Sequence, residues 1–158
     1  MSDKNNLIGW REWLILPELG IQNIKAKIDT GARTSALHAF SLESYLESGM
    51  PMVRFGMHPM QNNTDFEQWC TAKVIDEREV TDSGGHRESR FVIRTPVKLG
   101  PHQWDIEVTL TNRDTMKFRM LLGRTAIAGH FSVDPEASYL YGKPRKNTLR
   151  PAKQKPKK

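Results

Sequence analysis

The chain has 158 residues, 37% hydrophobic and 27% charged, which suits one soluble globular domain and excludes a largely disordered or membrane-embedded protein. Its single cysteine, Cys70, excludes an intramolecular disulfide, so nothing in the sequence requires an oxidising compartment. The formal net charge is +6, but residues 143–158 hold eight cations and no acid. Taking this +8 from the total leaves residues 1–142 with a net charge of −2.

This charge distribution predicts a folded domain over residues 1–142 and a disordered basic tail over residues 143–158. The tail could hold RNA, a ribosome surface or an acidic protein by salt-sensitive attraction, or it could simply solubilise the chain. Nucleic-acid contact is expected through the tail alone. The polar amino terminus lacks the apolar region of a secretory signal, and no apolar run is long enough to span a bilayer. We therefore expect a cytoplasmic protein without membrane contact.

The N-terminal half is predicted to be mainly β-strand. The second strand-like run alternates apolar and polar residues and leads directly into Asp29. Residues 42–47 depart from the pattern, because Leu42, Tyr45 and Leu46 lie at helical spacing and predict a short helix. The strand-like runs cover residues 13–16, 21–28, 53–58 and 66–75.

A charged β-hairpin is the clearest element of the C-terminal half. Its arms, residues 73–80 and 87–97, flank a turn in which Gly84 and Gly85 can supply positive φ angles. Arms this polar pack poorly in a core, so the hairpin is predicted to project as a flap. Further strand-like runs cover residues 103–110, 116–122, 131–133 and 139–141, with one helical turn within 124–129. Seven or eight short strands with frequent turns predict an all-β barrel or closed sandwich.

The most distinctive motif is Asp29-Thr30-Gly31-Ala32, which follows an apolar strand. Taken alone, such a tetrapeptide is most often a β-turn with a local hydrogen bond to the carboxylate. A second block, Leu122-Gly123-Arg124, follows later in the chain, and the charged hairpin lies between the two. A similar triplet, 82–84, sits in the hairpin tip without a preceding apolar strand and is interpreted as a turn.

This order of elements resembles the retropepsin-type aspartic proteases. Three blocks are similar to a bacterial family of retropepsin-like peptidases: KIDTGARTSALHA (27–39), RDTMKFRMLLGR (113–124) and FSVDP (131–135). Members of that family are often labelled "ATP-dependent zinc proteases" and are associated with ATP-grasp glutamate ligases that modify a ribosomal protein. The resemblance spans residues 10–141 and implies a closed acid-protease barrel with a flap hairpin and one or two short helices.

The resemblance also implies an aspartic endopeptidase. Such an enzyme needs two adjacent carboxylates that share one proton, one acting as base toward a water and the other as acid toward the scissile carbonyl. Because the chain offers one convincing loop, the partner of Asp29 would be Asp29 of a second copy in a homodimer. Thr30 would tie the two loops together, Gly31 would permit their close approach, and Ala32 would position an extended peptide substrate.

The flap and the later block supply the remaining candidates that the resemblance implies. Gly84, Gly85 and Arg90 would contact substrate, and the flap arginines would suit the carboxylates of acidic or polyglutamylated proteins. Alternating charges on a solvated hairpin remain the commoner explanation for those arginines. A glutamate ligase and a ribosomal protein are the partners that the family context suggests.

Leu122, Gly123 and Arg124 are expected to be structural. In the retroviral enzymes the residues after the Asp-Thr-Gly-Ala motif are acidic, and one of them pairs with the later arginine. Here a different pair, Arg33 and Thr34, occupies that position. Arg124 should therefore find another acid, with Asp114 and Asp134 as candidates.

No metal or cofactor is expected, because the five histidines show no ligand spacing and the chain has no phosphate-binding glycine loop. Cys70 lies within a strand-like run and is interpreted as a buried apolar residue. A second hypothesis keeps the fold without the chemistry: a regulatory module that binds a peptide or a ligase and uses Asp29 as a structural carboxylate.

Overall fold

The computed structural model describes residues 6–60, 66–81, 84–112 and 117–144. Asp82, Ser83, Asp114 and the greater part of the predicted tail lie outside these ranges. The strands are β1 Leu7–Ile8, β2 Arg11–Leu16, β3 Ile21–Asp29, β4 Ser35–His38, β5 Ser41–Glu47, β6 Met50–Met57, β7 Gln68–Lys73, β8 Asp76–Thr81, β9 Arg87–Leu99, β10 His102–Thr111, β11 Met120–Gly123 and β12 Ser132–Val133. A 3-10 helix at Pro17–Leu19 and the helix α1 at Arg124–Ile127 complete the described part.

Six strands close into a ring, which confirms the predicted all-β, acid-protease-like barrel. Neighbours follow the order β10, β4, β11, β3, β2 and β9, and β9 then pairs with β10. Within the ring, β11 lies between β3, to which it is parallel, and β4, to which it is antiparallel. Strand β8 extends the ring beyond β9 as the outer arm of the flap hairpin.

The alternation of β3 explains which side of it faces the barrel interior. Ile24, Ala26 and Ile28 are buried, whereas Lys25 and Lys27 point outward. Aliphatic side chains from the other ring strands fill the same core, including Leu14, Leu37, Ile93, Leu110, Met120 and Leu122. The hydrophobic effect therefore holds β3 in the ring and fixes where the chain leaves it, at Asp29.

The predicted helix at residues 42–47 is wrong. These residues belong to β5, the outer strand of a three-stranded antiparallel sheet with β6 and β7. Residues 43–47 are exposed on both faces of the strand. The helical spacing of Leu42, Tyr45 and Leu46 consequently does not mark a buried stripe.

Other differences from the predictions also concern short segments. Strand β4 was not predicted, because Ser35, Ala36 and Leu37 are all buried and a strand covered on both faces shows no alternation. Residues 139–141 were predicted to be a strand but form a turn.

That turn is attached to the barrel by a buried carboxylate. Glu12 is fully buried, and its Oε2 accepts hydrogen bonds from the backbone N–H groups of Gly9 (2.7 Å) and Leu140 (3.0 Å). Its Oε1 accepts a weaker one from Tyr141 at 3.4 Å. None of the helices in the described ranges is long and apolar enough to cross a membrane.

Candidate functional site

The Asp29 loop begins where β3 ends, and local hydrogen bonds fix its shape. The carboxylate Oδ1 of Asp29 accepts the N–H of Gly31 at 3.1 Å, and its carbonyl accepts the N–H of Ala32 at 3.1 Å. Asp29 is partly exposed, while Thr30 and Gly31 are exposed. The loop therefore presents its carboxylate at the surface of the barrel on a hydrogen-bonded turn.

The second sequence block, Leu122-Gly123-Arg124, pairs with the strand and the backbone of this loop. Gly123 is the register partner of Asp29 in the parallel β3–β11 pair. The backbone N–H of Arg124 donates to the carbonyl of Ala32 at 2.7 Å, and that of Thr125 donates to Arg33 at 3.0 Å. The start of α1 thus binds the outgoing half of the loop.

The side chain of Arg124 reaches the same loop. Its Nη1 donates to the carbonyl of Thr30 at 3.0 Å. Of the two acids proposed for it, Asp134 instead accepts the N–H of Glu136 and forms no ion pair with Arg124. Asp114, the other candidate, lies outside the described residues. Arg124 is therefore a positioning residue that holds a backbone carbonyl next to Asp29.

Gly123 permits the closest backbone approach in this region. A Cβ at this position would lie 2.6 Å from the carbonyl carbon of Thr34 and 2.9 Å from the backbone nitrogen of Ser35, distances that real Cβ atoms do not adopt. Leu122, directly before it, is fully buried in the core. Leu122 therefore packs in the core, and Gly123 lets β11 approach the backbone that follows the Asp29 loop.

Sequence reasoning missed Ser35. Its Oγ accepts the N–H of Gly123 at 3.0 Å, and its carbonyl accepts the hydroxyl of Thr109 at 3.1 Å. The residue is fully buried, so it connects the strand after the Asp29 loop to both β11 and β10. No sequence signal identifies it, because a serine after a turn motif is ordinarily exposed.

A cleft of about 1,210 Å³ lies over the Asp29 loop. Its floor includes Asp29, Gly31 and Ala32, and the flap contributes Arg78 and Arg90. Gly84 and Gly85 are exposed at the flap tip and do not line the cleft. Thr30 does not line it either, and its carbonyl accepts the hydrogen bond from Arg124. The other lining residues are Arg33, Thr34, Ala36, His38, Glu79, Val80, Thr81, Arg94, Asp105, Ile106, Glu107, Thr109, Leu121, Thr125 and Ala126.

The flap arginines that line the cleft are already paired with acids. Arg78 bridges Asp76 at 2.8 Å and Glu107 at 3.0 Å, and Arg94 also approaches Glu107 at 3.4 Å. The hydrogen bond from Arg78 lowers the pKa of Asp76, and the same bond is the main reason that the pKa of Arg78 is raised. A further pair joins Arg90 to Glu88 at 2.7 Å.

Among the described residues, no group of three or more His, Cys, Asp and Glu side chains is placed to hold a metal ion. Cys70 is buried, and its Sγ lies 3.4 Å from the carbonyl oxygen of Leu19. Burial raises the pKa of this thiol to about 12, so the nucleophilic thiolate is strongly disfavoured.

The chain resembles several known proteins. Residues 7–144 match the RimB-like family, whose description is "Retropepsin-like aspartic endopeptidase RimB". The chain is 46% identical over 142 residues to a probable alpha-L-glutamate ligase of Shewanella halifaxensis and 45% identical over 143 residues to one of Desulfotalea psychrophila. Each of these alignments covers 90% of this chain, which spans only 31% of the relative's length.

A solved structure shares the fold. The Legionella pneumophila protein Lpg0085, whose function is unknown, superposes with a TM-score of 0.70 at 27% sequence identity. The match covers 87% of this chain and 99% of that one. Together with the family match over residues 7–144 and the Asp29 loop braced by β11, this shows that the chain belongs to the RimB-like family of retropepsin-like aspartic endopeptidases.

Proposed function

We propose that the protein is an aspartic endopeptidase whose catalytic pair consists of Asp29 from each of two identical subunits. The observation that carries this proposal is the placement of a partly exposed Asp29, on a turn braced by Arg124, at the floor of a flap-covered cleft. One chain supplies one such loop, so the catalytic pair requires a second copy related by a twofold axis.

In the proposed reaction, the ionised carboxylate of the pair takes a proton from a water as the water oxygen bonds to the scissile carbonyl carbon. The protonated carboxyl gives its proton to the carbonyl oxygen. Collapse of the resulting tetrahedral intermediate breaks the C–N bond, and the departing nitrogen receives a proton from the pair. The two carboxyl groups of the pair cannot both ionise, because their negative charges would repel each other at close range. One proton therefore remains shared between them.

Gly31 and Thr30 support the dimeric arrangement. A Cβ on Gly31 would meet only Asp29 Oδ1, at an ordinary 3.4 Å, and Gly31 does not adopt a positive φ. The single subunit therefore has room for a larger residue at this position. A glycine here is explained if the loop of a second subunit approaches closely, with the exposed Thr30 hydroxyl available to bind it.

We further propose that the substrates are acidic or glutamylated proteins in the cytoplasm, with a glutamate ligase or a ribosomal protein as partner. The support comes from the relatives, which are named probable alpha-L-glutamate ligases and are much longer than this chain. The flap arginines do not carry this proposal, because Arg78, Arg90 and Arg94 each have an acid partner within the protein.

The direct test is Asp29→Asn, assayed on a library of unstructured peptides by mass spectrometry alongside the wild type. We expect cleavage by the wild type and at least about a 1,000-fold loss in the variant, because the variant lacks the ionisable pair. Circular dichroism and native mass should be unchanged. Cleavage by Asp29→Asn at the wild-type rate would refute the proposal.

One observation favours a second function, a non-catalytic module that binds an extended peptide or a ligase. The hydrogen bond from Gly31 to Asp29 Oδ1 gives the carboxylate a structural role within a single subunit. A protein that stays monomeric, binds peptides in the cleft and hydrolyses none of the library would support this alternative.

A further inference from the structure

A row of cations continues along the strand that carries Asp29. Side chains alternate along β3, so Asp29, Lys27 and Lys25 share its outer face at steps of about 7 Å. The buried residues between them, Ile28 and Ala26, confirm this assignment of faces. Moving away from the carboxylate, the first two outward side chains are therefore both lysines.

The register of the barrel places Lys27 next to the cleft. Lys27 is paired with Leu121 on one side and with Arg11 on the other. Paired residues of neighbouring strands project to the same face of a sheet, and Leu121 lines the cleft. Arg11, Lys27 and Leu121 therefore form one lateral row that ends at the cleft.

Three cations other than Lys27, namely Arg11, Lys25 and Lys143, have aromatic neighbours in place of acid partners. Arg11 lies 4.6 Å from the ring centre of Trp10, and Lys25 lies 5.4 Å from that of Trp13. A third ring, Tyr139, is approached by Arg11 at 4.9 Å, by Lys25 at 5.7 Å and by Lys143 at 5.0 Å. We call Arg11, Lys25, Lys27 and Lys143 the cationic strip.

The strip carries a net positive charge that the flap does not. Within the described residues no acidic side chain forms an ion pair with any of the four cations, whereas Arg78, Arg90 and Arg94 are all paired. The acid that β2 contributes, Glu12, points inward and is fully buried. Four unneutralised cations on one face attract an anion with several charges.

We propose that the cationic strip binds an acidic segment of the substrate that flanks the scissile bond, an inference that rests on the proposed peptidase function. The lysines of the strip and Asp29 lie on the same face of β3. A substrate chain that leaves the cleft along this strand therefore passes over Lys27 and then Lys25. An extended peptide presents alternate side chains at about 7 Å, the same spacing as the two lysines. Carboxylates at alternate positions would then meet successive cations.

An acidic peptide explains the strip better than a nucleic acid does. Proteins that bind single-stranded nucleic acid offer open aromatic faces on which bases stack. Here the faces of Trp10 and Tyr139 are covered by Arg11 and Lys143, so the surface offers charge without open stacking platforms. Binding of RNA is accordingly the competing outcome in the test.

The test measures binding to the full-length Asp29→Asn protein, which removes cleavage from the experiment. The probes are two fluorescein-labelled peptides of about eight residues, one alternating Glu and Ala and the other Gln and Ala, and an oligouridine of equal length. Anisotropy is recorded at low and moderate salt for this protein, for the added double change Lys25→Gln and Lys27→Gln, and for the control Lys73→Gln. Lys73 is an exposed lysine on β7, in the separate three-stranded sheet.

We expect the Glu-Ala peptide to bind and the Gln-Ala peptide to bind at least about tenfold more weakly. Each exposed charge pair changes affinity about two- to fivefold, so the double change should weaken Glu-Ala binding about tenfold while Lys73→Gln leaves it unchanged. Equal affinity for both peptides, no effect of the double change, or tighter strip-dependent binding of the oligouridine would overturn the inference. A different result is that the Glu-Ala peptide binds through the strip while the wild-type protein hydrolyses no peptide. That result would support the binding of acidic peptides by the strip and would refute the peptidase function alone.

Discussion

Two glycine-to-alanine substitutions in the site distinguish what the folding of one subunit requires from what the proposed dimer requires. Gly123→Ala should lower the stability of the subunit, and Gly31→Ala should weaken the dimer and its activity. In Gly123→Ala, the new Cβ would lie 2.6–2.9 Å from backbone atoms of Thr34 and Ser35. Backbone cannot rotate away as a side chain can, so β11 and the loop leading to β4 must separate. Overpacking of this kind costs about 1–3 kcal/mol, and stretching the bond from Gly123 to Ser35 adds to it. We expect the unfolding midpoint to fall by about 4–10 °C for a domain of this size.

Gly31→Ala should give the opposite pattern. Its Cβ would be in ordinary contact with Asp29 Oδ1, so subunit stability should change by less than about 0.5 kcal/mol. Peptidase activity should fall at least about tenfold and the dimer should weaken, because the added methyl groups separate the two loops. Thermal unfolding by circular dichroism at several protein concentrations, with sedimentation and peptide cleavage, measures all three effects. An active, dimeric Gly31→Ala protein, or a Gly123→Ala protein as stable as wild type, would refute this reasoning.

Three further predictions concern groups outside the catalytic loop. Glu12→Ala should lower the free energy of unfolding in urea by about 3 kcal/mol or more, because it leaves buried backbone donors without their acceptor; an unchanged midpoint would contradict that role. The thiol of Cys70 should resist iodoacetamide at pH 8 in the folded protein. Because folding raises its pKa from 9.0 to about 12, the stability it contributes is complete below pH 9 and declines as the pH rises from 9 to 12, and Cys70→Ala should remove this decline. The lowered pKa of Asp76 should return toward its ordinary value of 3.8 in Arg78→Ala, as followed by NMR titration. Asp76 contributes stability above pH 3.8 that is lost as the pH falls through its folded pKa, and an identical titration in both proteins would exclude the Arg78 bond as the cause.

The elements that the sequence predicted correctly are those with local signals. Alternation of apolar and polar residues identified β3 and β10, and a glycine-containing turn identified the flap hairpin. Two glycine motifs indicated that Asp29 and Gly123 each lie at the end of an apolar strand. Each of these signals depends on neighbouring residues alone. They were sufficient to predict an all-β fold with Asp29 at the end of a buried strand.

The features that the sequence did not predict depend on distant contacts. Strand β5 has a helical spacing of apolar residues but lies extended because β6 pairs with its full length. Ser35 is buried through contacts with Gly123 and Thr109, both more than seventy positions away in the chain. The bond from the side chain of Arg124 to the carbonyl of Thr30 was also not predicted, because every residue carries such an acceptor.

The account depends most on the requirement for two Asp29 carboxylates from different subunits. The most direct test mixes wild-type protein with Asp29→Asn at constant total concentration, allows subunits to exchange, and measures the rate of peptide cleavage. If both aspartates are needed, activity follows the square of the wild-type fraction, so an equal mixture retains about one quarter of the rate. A rate of about one half, proportional to the wild-type fraction, would show that one subunit suffices and would contradict the shared catalytic pair.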